Sequence, residues 1–215
     1  MRKFICWMAV AVLVAMGAGC AGKQLTPEEA AAERERQLRM TTRVYEGKTP
    51  KEILLAADRI FRLADDDYKI AHTETMMQAQ RPWMIYLVIS AAFGTDTWLI
   101  ETFPVENGTK VVARHSGQAQ SVFAGPTVNS GGTGVTAMTS PTMMNITTFS
   151  GIYDLFFARL DYFMGKRENW TTCRDAKNFE GPLDPFCTVA NDRLPDGRPS
   201  RVLYEKKEEK SDSIL

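Results

Sequence analysis

The stretch TDTWLIETFPVENGTKVVARHS, residues 95–116, constrains the fold more than any other part of the chain. Trp98, Ile100 and Thr102 alternate with Leu99, Glu101 and Phe103. After the dipeptide Asn107-Gly108, Val111, Ala113 and His115 alternate with Lys110, Val112 and Arg114. A period of two places alternate side chains on opposite faces of a strand. Asn-Gly between two such runs suits the tight type I′ turn that joins antiparallel strands. The chain must therefore build an antiparallel sheet with one apolar face, and something must cover that face.

Two helical patterns supply the cover. In TPKEILLAADRIFRLADDD, Thr49 caps, Pro50 takes the first helical position, and Glu52 completes a capping box. Ile53, Ala56, Ala57, Ile60, Leu63 and Ala64 form one stripe at helical spacing. Asp65, Asp66 and Asp67 close the pattern as a solvated helix end, because they lack the alternate spacing and glycine of a calcium loop. The second pattern, residues 148–165, places Phe149, Ile152, Phe156, Leu160 and Phe163 on a stripe, with Tyr153 and Leu155 beside it and Gly165 as a stop. Residues 41–47 and 67–80 read as strands, the latter with Tyr68, Ile70 and His72 on one face. The apolar run WMIYLVISAAFG, residues 83–94, is expected in the core, as a strand or a short helix, with a membrane-facing element as the alternative. The expected fold class is α+β: an antiparallel sheet of about four to five strands, two helices on one face, and a stapled C-terminal loop.

Residues 115–153 contain no Asp, Glu, Lys or Arg. Their centre is rich in Gly, Ser, Thr and Met. Three readings are open. The segment is a long loop, a hairpin that pairs with a neighbouring sheet edge, or a hairpin that enters lipid in an oligomeric barrel.

The N-terminus bears on location. Arg2 and Lys3 precede an apolar run of 13 residues, 4–16. A spanning helix needs about 20, so the run has the shape of a secretory signal. It narrows through Met16, Gly17, Ala18 and Gly19 to Cys20. This junction resembles the signal peptide of bacterial lipoproteins. Cys20 matches the lipidated cysteine, Gly19 and Ala18 match the small residues before it, and Gly17 stands where Leu or Val is usual. The resemblance implies cleavage between Gly19 and Cys20 and lipid attachment at Cys20. Ala21 in place of Asp implies, in Gram-negative members, an outer-membrane location facing the periplasm. Residues 20–40 then read as a tether, with Thr26, Pro27 and Glu29 opening a solvated helix.

Of the four cysteines, Cys6 would leave with the signal and Cys20 would be lipidated. Cys173 and Cys187 remain, an even pair that an oxidising compartment would join. Without Arg2 and Lys3 the chain carries 24 basic and 26 acidic residues, which offers no basic footprint for nucleic acid. His72 and His115 lie on strand candidates that can share a face, and two histidines alone do not make a zinc site. Neither a nucleophile elbow nor a phosphate loop is present. No catalytic residue, metal site or cofactor is therefore assigned.

The order of elements over residues 41–165 is similar to that of helix-grip or TBP-like domains in some outer-membrane lipoproteins, including a lipoprotein subunit of the barrel-assembly machinery. The expected function is a lipid-anchored, non-catalytic interaction or scaffold domain with a protein partner in the envelope, self-association being open. The alternative is a module for a small apolar ligand or lipid. A filled core with an exposed edge or long hairpin would favour the first. An apolar cavity would favour the second, and a cleft joining a histidine to carboxylates would favour catalysis.

Overall fold

The computed structural model describes residues 25–87, 90–129, 132–187 and 192–200. Gly19, Cys20, the signal segment and the charged tail from residue 201 lie outside the described residues. The chain divides into two compact units, Met1–Leu38 and Arg39–Leu215. Helix α1 (Pro27–Thr41) opens as the sequence predicts, with reciprocal bonds between Thr26 and Glu29. Its side chains up to Leu38 are mostly exposed.

Among the described residues the second unit holds seven strands in one antiparallel sheet. In chain order these are β1 (Thr42–Glu46), helix α2 (Pro50–Ala64), β2 (Lys69–His72), β3 (Met76–Leu87), β4 (Ser90–Val105), β5 (Gly108–Asn129), β6 (Gly132–Thr139), β7 (Met143–Ile146) and helix α3 (Gly151–Phe163). The strand order is β1-β5-β4-β3-β2, and β6 and β7 also pair with β5. The α+β class stands, and the sheet is larger than the four to five strands expected.

Local chemistry explains the helices. Thr49 caps α2 through a complete capping box with Glu52, and Gly165, at φ 75°, ends the turn after α3. Trp98 centres the core. Its ring lies 5.5 Å from Phe61 of α2, 5.5 Å from Phe156 of α3, and 5.0 Å from Phe186 of the C-terminal segment. Ile100, Val111 and Ala113 share its face and are fully buried.

Four expectations are corrected. Residues 67–80 form two strands joined by a turn, because Thr73 and Met76 bond each other across it. The β4–β5 turn is one residue earlier than expected, at Glu106 and Asn107, since Val105 pairs with Gly108. Gly108 is required there, because a Cβ would meet the Tyr45 carbonyl oxygen at 2.2 Å. The described residues of 83–94 are not core. They end β3 and begin β4, with Met84, Ile85 and Tyr86 each more than half exposed. The uncharged segment is not a long loop: β5 runs on to Asn129 and returns as β6 and β7.

The C-terminal segment packs on α3. Cys173 and Cys187 sit at disulfide distance, with Cα atoms 5.6 Å apart. Arg159 of α3 is fully buried beside them. Its Nε donates to the Thr171 carbonyl oxygen at 3.1 Å, and its guanidinium donates to Asp192 at 2.7 Å. Burial pushes the Arg159 pKa down, and Asp192 opposes that shift.

Candidate functional site

A line of charge crosses the sheet where the helices stop covering it. Arg81 on β3 faces Asp96 on β4, and Trp98 faces His115 on β5. Arg81 is 5% exposed. Its guanidinium donates to Asp96 at 2.7 Å, to Asp65 at 3.3 Å and to the Asp184 carbonyl oxygen at 3.0 Å. Asp65 is the C-cap residue of α2. It is buried, which corrects its expected place in a solvated helix end. Asp66 keeps the exposed role and pairs with Arg193. Burial opposes charge on Asp96, yet the His115 imidazole and the Arg81 guanidinium hold its pKa below the usual 3.8. The neighbouring acidic groups correspondingly raise that of Arg81 against its burial.

A pocket of about 630 Å³ opens over this line. Arg81, Asp96 and His115 form its base. Trp83, Ile85, Phe149, Ile152, Pro182 and Pro185 supply apolar walls. His115 Nδ1 lies 2.7 Å from the Thr147 hydroxyl, and its Nε2 lies 3.6 Å from Asp96. His115 Nε2 and Arg81 Nε are buried with no hydrogen-bond partner, which carries a real cost unless something binds them. Hydroxyl, imidazole and carboxylate follow one another here in the order of a general-base relay. The carboxylate is instead committed to Arg81, and 3.6 Å exceeds hydrogen-bond range. The arrangement suits holding a polar group in an apolar pocket better than activating Thr147.

Beyond the charge line the sheet continues as an extension, up to four strands wide as far as Phe123 of β5 and past it as β5 paired with β6. It comprises residues 82–87 and 90–95 of β3 and β4, the far half of β5, and β6 and β7 end to end along the outer side of β5. Residues 82–95 and 115–153 carry no Asp, Glu, Lys or Arg, so the whole extension is free of formal charge. Met84, Ile85 and Tyr86 on β3, with Met143, Met144 and Ile146 on β7, are its large exposed apolar residues, joined only by Phe123 of β5 among those described. β3 is one edge of the extension, and β7 with β6 forms the other. The sheet's other edges differ. β1 carries Arg43 and Glu46, and Lys166 donates to the Val44 carbonyl oxygen. β2 carries Lys69 and His72.

His72 and His115 share the helix-covered face by register, through Met77, Ile100 and Trp98. They take different partners: His72 pairs with Asp58 at 2.7 Å. Among the described residues no group of three or more possible metal ligands occurs, and no helix is long and apolar enough to cross a membrane. The Arg81, Asp96 and Asp65 cluster was missed by sequence reasoning. Only the isolated charges flanking residues 82–95 signalled it. Comparisons with protein-family models, curated proteins and solved structures found no match.

Proposed function

We propose that this chain is a lipid-anchored protein of the bacterial cell envelope, held through Cys20 at the outer membrane and facing the periplasm. There it acts as a non-catalytic interaction or scaffold domain. The observation that carries the reading is the sheet extension, which is uncharged and bears exposed apolar residues on its edge strands β3 and β7 beside a filled aromatic core. Soluble proteins guard open edges with charge, proline or a covering element. This chain does so at β1 and β2, while the extension has only Pro82, at its base. Edges left bare on a folded domain are sites for another strand. The anchor rests on the lipoprotein-like junction at Cys20. The test is fractionation of the Cys20→Ser chain, which is expected to leave the membrane pellet. Unchanged membrane retention of that variant contradicts the anchor.

The second reading is a small-ligand module. It is favoured by the 630 Å³ pocket and by the unpaired nitrogens of His115 and Arg81 at its base. The fitting ligand has an apolar body and one polar head. Native mass spectrometry of the purified chain tests it, through a bound mass that His115→Phe abolishes.

A further inference from the structure

The geometry points to an uncharged alcohol as the ligand of the pocket over the charge line, with its hydroxyl set between His115 and Asp96 and an apolar body along the walls. This inference rests on the small-ligand reading and names its ligand class.

Two atoms define the head. His115 is 5% exposed and forms part of the pocket base. Its Nδ1 lies 2.7 Å from the Thr147 hydroxyl, and its Nε2 is buried with no hydrogen-bond partner. Asp96 Oδ1 lies 3.6 Å from that Nε2, while the other oxygen, Oδ2, accepts from Arg81 at 2.7 Å. A carboxylate beside Nε2 draws the imidazole proton to that nitrogen, and the Thr147 hydroxyl then donates to Nδ1. At 3.6 Å the pair is too far apart for a direct hydrogen bond, yet a single oxygen can reach both atoms at about 2.8 Å. A hydroxyl answers both, accepting from Nε2 and donating to Oδ1. An ether or ketone accepts from Nε2 and gives Oδ1 nothing.

Charge decides against ionic heads. The described lining carries one cation, Arg81, against Asp96 and Asp184, and Asp65 also pairs with Arg81. The guanidinium already donates to Asp65, Asp96 and the Asp184 carbonyl oxygen. A carboxylate or phosphate head would therefore meet Asp96 with no cation left for it. An ammonium head has the opposite fault. It brings only donors to a base where two donors, His115 Nε2 and Arg81 Nε, lack an acceptor.

The walls define the body. Trp83, Ile85, Ile146, Phe149, Ile152 and Pro185 line the pocket. Ile85, Ile146 and Phe149 are 55%, 73% and 45% exposed, so an apolar chain laid across them takes that surface out of water. The volume of about 630 Å³ lies within the range of about 300–1,000 Å³ that small-molecule sites occupy.

The test compares 1-decanol, decanoate and decylammonium, which share one chain and differ in the head. Each is titrated at pH 7 into the purified full chain, held in a non-ionic amphipathic polymer. Tryptophan emission is the readout, because Trp83 is a wall of the pocket. 1-Decanol is expected to give a saturable change and to bind at least about tenfold tighter than either ion, the effect of leaving one buried polar group unpaired. His115→Phe keeps a ring against Trp98 and removes the Nε2 donor, so it should bring 1-decanol down to the level of the ions. Ile85→Asp, at a half-exposed wall position, should abolish binding and leave the urea midpoint unchanged. Decanoate or decylammonium binding as tightly as 1-decanol, or 1-decanol binding unchanged in either variant, would overturn the hydroxyl assignment. If none of the three binds while native mass spectrometry still finds a bound mass that His115→Phe abolishes, this inference falls and the small-ligand reading stands. No binding and no bound mass removes both.

Discussion

Replacing Arg81 by Met tests the charge line most sharply. Arg81 is 5% exposed and serves two carboxylates, Asp65 and Asp96, that are themselves 8% and 7% exposed. Methionine fills similar volume and leaves both carboxylates without their cation. Breaking a buried pair by removing one partner costs about 3–5 kcal/mol, against a total of about 5–15 kcal/mol for a typical domain. With a urea slope of about 2 kcal/mol per molar, the unfolding midpoint should fall by about 1.5–2.5 M. The assay is urea titration of the detergent-solubilised chain, followed by tryptophan fluorescence.

Acid supplies an internal check on the same variant. In the native chain the Asp96 pKa is depressed below its ordinary 3.8. Its contribution is therefore complete above that value and is lost as pH falls through the folded pKa. In Arg81→Met, burial acts on Asp96 with the cation gone and raises its pKa. The gap between the two proteins should narrow as pH falls from about 6 to 4. Adding Asp96→Asn to Arg81→Met should recover part of the loss, because one uncompensated carboxylate is removed. A cost under about 1 kcal/mol, with no narrowing in acid, would refute a desolvated network at this line.

Three further outcomes are expected. Gly94→Ala places a Cβ 2.0 Å from the Gln118 carbonyl oxygen and 2.5 Å from the Trp83 ring; it should cost about 1–3 kcal/mol and shift tryptophan emission, and a silent variant would show that Trp83 does not lie over Gly94. Replacing Cys173 and Cys187 by Ser should cost about 3 kcal/mol for a loop of this length, and thiol labelling of the denatured, unreduced native chain should find neither sulfur free. Deleting residues 125–141 removes β6 and the last five residues of β5 and none of the core residues among those described, so the denaturation midpoint should hold while assembly is lost; unfolding would place that segment in the core.

Where sequence reasoning worked, the information was local. Thr49, Pro50 and Glu52 specify the start of α2 within four positions, and the cap forms as read. Trp98, Ile100 and Thr102 alternate on a strand with one buried face, and all three are buried. The failures are non-local. Gly, Ala, Pro and Asn are depleted in strands, yet residues 117–129, which carry all four, are strand because β4, β6 and β7 line up beside them. Residues 83–94 are apolar enough to look buried. Their exposure follows from the sheet outrunning α2 and α3, which no local pattern records. Asp65 reads like its two neighbours, and only the fold sets it against Arg81. Arg159 sits inside an aromatic stripe, and its partner Asp192 lies 33 residues away. The pocket was invisible for the same reason, since its base and walls come from β3, β4, β5, β7, the segment before α3, α3 itself and the C-terminal segment.

The most direct test of the account is the native mass of the lipidated chain, extracted from its own membrane in mild detergent without cross-linking. The account predicts an assembly larger than a single chain, which the 125–141 deletion reduces to a single chain. A lone lipidated monomer from the intact chain, unchanged by the deletion, would contradict it.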